Sequence, residues 1–347
     1  MPYTSLDTPA ILRRIDADLA SVVAAVRAGD RHVRSIVLTG GFARGEGAVL
    51  RGDPQNDYDL VAIRGFGRPA KSYAALREEL SKSLGLHIDL AAVPAWRLQR
   101  APASVFWYET ALRGRVLWGE DLLGSIRVRD AAGLDPCEGL RLLANRAAGL
   151  LLATARPNDA DALRLQAAKA LLAAFDAQML AAGRFAPSQT ERWHLFQRML
   201  LEGPALAALH FQGAWLEWAY ESKRDPGGVA DRDPGEAWQA ARRAILVAIP
   251  SALRHASLRS LDAYGRKDSL VGWATYAWRA GRVEGARRLV TNPTGQVRVA
   301  TLRLLEATPD GKAGVALEDA RRCLAPVARN VSDPLRTLEG LRAATLQ

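Results

Sequence analysis

The feature of this sequence that most constrains its fold is a pair of aspartates at the start of an apolar segment. Asp57 and Asp59 are followed by Leu60-Val61-Ala62-Ile63, a run typical of a buried β-strand. Side chains alternate between the two faces of a strand, so the two carboxylates are predicted to project from the same face. Neighbouring carboxylates repel each other unless a positive charge lies between them, and Mg2+ is the usual oxygen-ligated cation. The segment therefore predicts a strand with a metal site.

Two further segments are predicted to contribute to the same site. The strand-like run 35–39 ends at Gly40-Gly41, where a turn is expected before a helix that begins near Phe42. Asp89 lies in a second strand-like run, 87–93, and provides a third carboxylate; His87 is predicted to face the same side, as a rim residue or as a further ligand or base. A Gly-Gly turn, two aspartates on one strand and an aspartate on a later strand together indicate nucleotidyl transfer.

The pattern of apolar residues divides the chain into two regions. Residues 1–130 are predicted to form a mixed α/β (α+β) domain with a small mixed sheet. Its predicted helices and strands cover 8–29, 35–39, 57–63, 71–84, 87–93, 103–113 and 114–119. Strand patterns end at Pro136, and residues 137–347 are predicted to be all-helical, with a division near 230–265. The later predicted helices include 268–281, 284–290, 314–325 and 334–345.

Charge and cysteine content bear on location and partners. The net charge is +10, but only six of the 47 basic residues are lysines and no dense basic block occurs, which disfavours nucleic acid as a partner. No apolar run reaches the roughly 20 residues of a membrane helix, and the first residues show no basic segment followed by an apolar one. Cys137 and Cys323 are too far apart in sequence to suggest a metal-binding pair. A cytoplasmic protein without a membrane partner is expected.

The spacing of the acidic residues permits a specific division of roles. In nucleotidyl transfer a substrate oxygen attacks the α-phosphate of an NTP, and two divalent ions stabilise the charge on the entering and leaving oxygens. Asp57 and Asp59 are predicted to bridge the two ions. Asp89 is predicted to complete the site nearer the acceptor and to accept the proton of the attacking hydroxyl.

The glycine turn is predicted to hold the triphosphate. Gly40 and Gly41 allow close approach of the backbone, the start of the following helix offers N–H groups, and Arg44 is a candidate phosphate contact. The spacing of Gly40 and Gly45 also resembles a P-loop, but Glu46 and Gly47 occupy the positions where that motif requires Lys and Ser or Thr. The P-loop interpretation is therefore weaker.

These motifs resemble the DNA polymerase β-like nucleotidyltransferase superfamily. Thr39-Gly40-Gly41-Phe42, Asp57-Tyr58-Asp59-Leu60 and Asp89 match its pattern over about residues 35–93, although the fifteen residues between Gly41 and Asp57 make a longer spacer than usual. The resemblance implies an NTP donor, two Mg2+ ions for which Mn2+ can substitute, and a helical domain that shapes the acceptor site. It also implies a basic residue from the first helices of that domain at the outer phosphates, for which Lys169 is the candidate.

The predicted function is Mg2+-dependent transfer of an NMP from ATP or another NTP to a hydroxyl-type acceptor, with release of pyrophosphate. A small molecule or a sugar is favoured over nucleic acid as the acceptor, because no basic groove is evident in the sequence. The alternative is a catalytically silent nucleotide-sensing or protein-interaction member of the same fold. The presence of all three carboxylates favours the enzyme.

Overall fold

The computed structural model divides the chain into two compact units. The residues that it describes are 2–5, 8–50, 52–55, 57–154, 159–202, 213–227, 232–266 and 293–308. The first unit comprises Met1–Asp135 together with Phe185–Glu202 and Glu221–Val229, and the rest of the chain forms the second unit. The α/β unit thus includes two later segments in addition to the predicted 1–130.

The first unit is built on a four-stranded mixed sheet. Strands β1 to β6 are Val33–Leu38, Val49–Leu50, Asp53–Pro54, Tyr58–Arg64, Ile88–Pro94 and Arg115–Gly119. The sheet has the order β5-β4-β1-β6, while β2 and β3 form a separate two-stranded ribbon. β1 is antiparallel to both β4 and β6, whereas β4 and β5 are parallel. The expected mixed α+β architecture with a small mixed sheet is confirmed.

Amphipathic helices cover one face of this sheet. Helices α1 to α4 are Pro9–Gly29, Gly40–Ala43, Tyr73–Leu84 and Val105–Arg113. α1 begins after Thr8, whose hydroxyl accepts the N–H of Ile11 at 3.3 Å. The apolar residues of α1 recur every three or four positions and pack, with those of α3, on the sheet. The buried residues that α1 and α3 contribute to this core are Ile11, Ile15, Leu19, Val22, Val26, Leu76 and Leu80.

The opposite face of the four-stranded sheet is also covered, by other elements. A 3-10 helix, Ala95–Arg100, and α4 contribute Leu98, Trp107 and Ala111 to a second core. These residues pack against Val37 of β1 and against Val61 and Ile63 of β4. Burial on both faces explains why the central strands are continuous apolar runs rather than alternating ones.

Every element that the structure describes after Asp135 is a helix. Helices α5 to α11 are Glu138–Thr154, Ala160–Ala181, Gln189–Glu202, Gly213–Arg224, Pro234–His255, Leu261–Arg266 and Pro293–Ala307. α5, α6 and α9 pack through small residues: a Cβ atom added to Gly139 would lie 3.4 Å from Ala252 and 3.5 Å from Ala177. The predicted helices at 268–281, 284–290, 314–325 and 334–345 lie outside the described residues. None of the described helices is long and apolar enough to cross a membrane.

Candidate active site

The glycine turn and both aspartate-bearing strands meet at one end of the sheet. β1 ends at Leu38, directly before the turn at Gly40-Gly41, and Leu38 pairs with Leu60 near the start of β4. β4 and β5 are parallel, so β5 also begins at this end. β6 begins there as well, because Arg115 pairs with Leu38. The topology therefore brings the predicted sequence motifs of this unit together.

Asp59 and Asp89 are direct neighbours on parallel strands. The register pairs Tyr58 with Ile88 and Asp59 with Asp89. Tyr58 and Ile88 are fully buried in the core that α1 and α3 cover, so strand alternation places the two aspartates on the opposite face. Asp57 immediately precedes β4. Two of the three predicted carboxylates therefore stand side by side on one face of the sheet.

The carboxylates of Asp57 and Asp89 are exposed, and each faces a basic side chain. Asp57 Oδ2 is 3.6 Å from His87 Nδ1, and Asp89 Oδ1 is 4.0 Å from Arg77 Nη1. The side chains of Asp57 and Asp89 are 57% and 60% exposed. Ion pairs at such exposed positions contribute about 0–1 kcal/mol. Both carboxylates can therefore exchange these partners for a cation at little cost.

The glycine turn lies directly against Asp59. Gly40 has a φ of +64°, and a Cβ atom added there would be 1.9 Å from Asp59 Oδ2. The N–H of Thr39 donates to the carbonyl oxygen of Asp59 at 2.8 Å. Position 40 therefore requires glycine for two reasons: its backbone is left-handed, and the Asp59 carboxylate occupies the space that a side chain would need.

The helix predicted to begin near Phe42 begins at Gly40 and has only four residues. α2 ends at Ala43, and Arg44 is its C-terminal cap rather than a residue near its start. The Arg44 side chain is only 9% exposed; its Nε lies 2.8 Å from Glu46 Oε2 and its Nη1 2.7 Å from Glu109 Oε2. Because a helix of four residues aligns few peptide dipoles, any phosphate binding here depends on local backbone N–H groups.

Burial and charge act in opposite directions on these ion pairs. Burial tends to lower the pKa of Arg44, but the surrounding carboxylates, Glu109 first among them, raise it above its ordinary value. Burial also tends to raise the pKa of Glu46, but the positive charges of Arg44 and Lys223 and two hydrogen bonds lower it to about 2. Both side chains therefore remain charged at neutral pH.

The three aspartates match the donor chemistry of a magnesium site but do not yet surround one point. Carboxylate oxygens are the ligands that Mg2+ prefers. Within the described part of the chain, no group of three or more His, Cys, Asp or Glu side chains is arranged to hold a metal ion.

Lys169 is placed in the second unit. It lies on α6, and its side chain is partly exposed, between the buried residues Ala168 and Ala170. Its role at the outer phosphates stays a prediction.

The sequence did not predict the ion-pair network beside the glycine turn, in which Arg44 contacts Glu46 and Glu109 and Arg192 contacts Glu109. Arg192 Nη1 lies 3.0 Å from Glu109 Oε1, and the N–H of Thr190 donates to Glu46 Oε1 at 3.0 Å. Glu109 follows Arg44 by 65 residues and Arg192 follows Glu109 by 83, so no local spacing pattern connects them. The opposite charges of Arg44 and Glu46, two residues apart, are the one local signal of the network.

Comparison of this chain with protein-family models, with curated proteins and with solved structures gave no match.

Proposed function

We propose that this protein is a Mg2+-dependent nucleotidyltransferase that moves an NMP from an NTP to a hydroxyl group and releases pyrophosphate. The observation that supports the proposal best is the in-register pairing of Asp59 with Asp89, beside a glycine turn that lies against Asp59. This arrangement fits the resemblance of the sequence to the DNA polymerase β-like nucleotidyltransferase superfamily.

Each residue of the proposed site has a distinct role. Asp57 and Asp59 would hold the metal ions, and Asp89 would complete the site and accept the proton of the attacking hydroxyl. When bound, divalent ions offset the negative charge on the oxygens that enter and leave phosphorus. The backbone at Gly40 and Gly41 would approach the triphosphate closely, because these residues have no side chain to exclude it.

A small hydroxyl compound or a sugar is the proposed acceptor. Arg44 is buried and paired, and the basic groups beside the exposed carboxylates are His87 and Arg77. The preference for a small acceptor rests on the sequence, in which no dense block of basic residues occurs.

Pyrophosphate release by the full-length protein tests the proposal. Each NTP would be incubated with Mg2+ and a panel of sugar, aminoglycoside and peptide hydroxyls. Asp57→Asn and Asp59→Asn should each lower the rate by more than about 100-fold, because each removes a metal ligand. Asp16→Asn is the matched control, since Asp16 is exposed on α1, which packs on the opposite face of the sheet.

The variants must remain folded for this test, which circular dichroism would establish. Undiminished pyrophosphate release by either site variant would contradict the proposal. NTP binding by the wild-type protein without pyrophosphate release, measured by calorimetry, would instead favour the nucleotide-sensing alternative.

A further inference from the structure

A buried network of charged side chains connects the glycine turn to α4 and α7. Arg44 contacts Glu46 and Glu109, and Glu109 in turn contacts Arg192 of α7. The side chain of Arg192 is 3% exposed, and it also donates to the carbonyl oxygen of Ala186 at 2.6 Å. The contact with Ala186 therefore fixes the Arg192 side chain, and Arg192 in turn fixes the carboxylate of Glu109.

The residues that form these ion pairs also fix the backbone of the turn. The N–H of Arg44 donates to the carbonyl oxygen of Gly40 at 3.3 Å, and the N–H of Glu46 donates to that of Gly41 at 2.8 Å. Any shift of the Arg44 or Glu46 side chain therefore acts on the hydrogen bonds that shape the turn.

The glycine turn limits the position of the Asp59 side chain. A Cβ atom at Gly40 would be 1.9 Å from Asp59 Oδ2, so the Gly40 backbone forms one wall of the space around that carboxylate. Thr39 binds the Asp59 backbone from the same side. A chain of direct contacts thus leads from Arg192 through Glu109, Arg44 and the glycine turn to Asp59.

We propose that Arg44 is a positioning residue and not a phosphate ligand: its ion pairs with Glu46 and Glu109 hold the Gly40–Gly41 turn against Asp59, and Arg192 holds Glu109. Replacing a buried ion pair by apolar residues is often neutral for stability, so such a network is best explained by the geometry that it specifies. The catalytic consequence of this positioning rests on the proposed nucleotidyl transfer, whereas its effect on the turn does not.

Amide hydrogen exchange tests the positioning directly. In the full-length protein Glu109→Gln should increase exchange at least about tenfold in peptides that cover 39–47, because loss of the ion pairs frees the turn to open locally. Exchange in β4 should change little. Glu120→Gln is the matched control, since Glu120 pairs with Arg34 on the exposed surface. Unchanged exchange in 39–47 of a folded Glu109→Gln protein would overturn the proposal.

Arg44→Lys serves the same purpose if Glu109→Gln does not fold. Lysine keeps the charge but lacks the planar fork that contacts Glu46 and Glu109 together. The same increase in exchange over 39–47 is expected, and its absence would overturn the proposal equally.

Steady-state kinetics separates positioning from direct phosphate binding. A positioning role predicts that Arg44→Lys and Glu109→Gln both lower kcat at least about tenfold, with little change in KM for the NTP. If Arg44 instead binds phosphate, Arg44→Lys would raise KM while Glu109→Gln would not lower kcat, and the proposal would fail. If the wild-type protein releases no pyrophosphate, nucleotidyl transfer is wrong, and the exchange experiment still decides the positioning of the turn.

Discussion

At the residue scale, Asp30 shows how this fold holds a fully buried carboxylate. Asp30 Oδ2 lies 2.7 Å from Arg64 Nε and accepts the hydroxyl of Tyr73 at 3.0 Å, while Oδ1 accepts the N–H of His32 at 2.9 Å. Burial tends to raise the pKa of Asp30, but these hydrogen bonds and the charge of Arg64 together lower it below its ordinary value. The ionised form is therefore the one that the folded protein favours.

Asp30→Asn should destabilise the protein in a pH-dependent way. We expect it to lower the free energy of unfolding at pH 7 by about 3 kcal/mol, because Arg64, whose side chain is only 14% exposed, loses its counter-charge. The folded pKa is below the unfolded value of 3.8, so the stabilisation is present above that pH and is lost as the pH falls through the folded pKa. Urea unfolding between pH 7 and pH 2 measures both effects.

Asp16→Asn is the control for this experiment, since Asp16 is exposed on α1. It should change stability little at any pH. A difference between wild type and Asp30→Asn that stays constant down to pH 2 would contradict the linkage argument.

At the element scale, the periodicity of apolar residues predicts where strands and helices lie. It does not predict contacts between residues that are far apart in sequence. The alternation around Asp57 and Asp59 and the apolar run around Asp89 identified β4 and β5, and the register pairs Asp59 with Asp89. α2 ends at Ala43, with Arg44 as its cap and Gly45 at a φ of +76°, the left-handed backbone at which many helices end. The contacts of Arg44 with Glu109 on α4 and of Glu46 with Thr190 on α7 are what no local pattern reveals.

Gly40→Ala tests the contact between the turn and β4. An alanine at positive φ costs about 1 kcal/mol, and displacement of Asp59 by the new methyl group should bring the total to about 2–5 kcal/mol. Pyrophosphate release should fall as well, because Asp59 is a proposed metal ligand. Urea unfolding and the release assay measure the two effects.

Gly85→Ala separates backbone strain from the collision. Gly85 has a φ of +66°, close to the +64° of Gly40, but a Cβ atom there would meet nothing within 4 Å. It should show the backbone cost of about 1 kcal/mol with unchanged activity. Equal effects of the two substitutions on stability and activity would show that Gly40 does not limit the position of Asp59.

At the scale of the whole molecule, the α/β unit is not a continuous stretch of sequence. The segments 185–202 and 221–229 belong to it, and they supply Thr190, Arg192 and Lys223 to Glu46 and Glu109. The sequence predicted a first domain of residues 1–130, because the last predicted strand ends at residue 119 and strand patterns are absent after Pro136. The sequence could not predict that the segments 185–202 and 221–229 belong to the α/β unit. α7 is a helix like those around it, and only long-range contacts such as that between Arg192 and Glu109 connect it to the α/β unit.

A polypeptide of residues 1–135 should therefore be less stable than the same unit in the full chain. Glu109→Gln provides the specific test. In the full chain it removes contacts with both Arg44 and Arg192, whereas in the fragment Arg192 is already absent, so its effect on the unfolding free energy should be smaller by about 1–3 kcal/mol. Asp30→Asn is the matched control, because its partners His32, Arg64 and Tyr73 all lie within 1–135 and its effect should be the same in both proteins. An equal effect of Glu109→Gln in fragment and full chain would show that α7 does not stabilise the glycine turn.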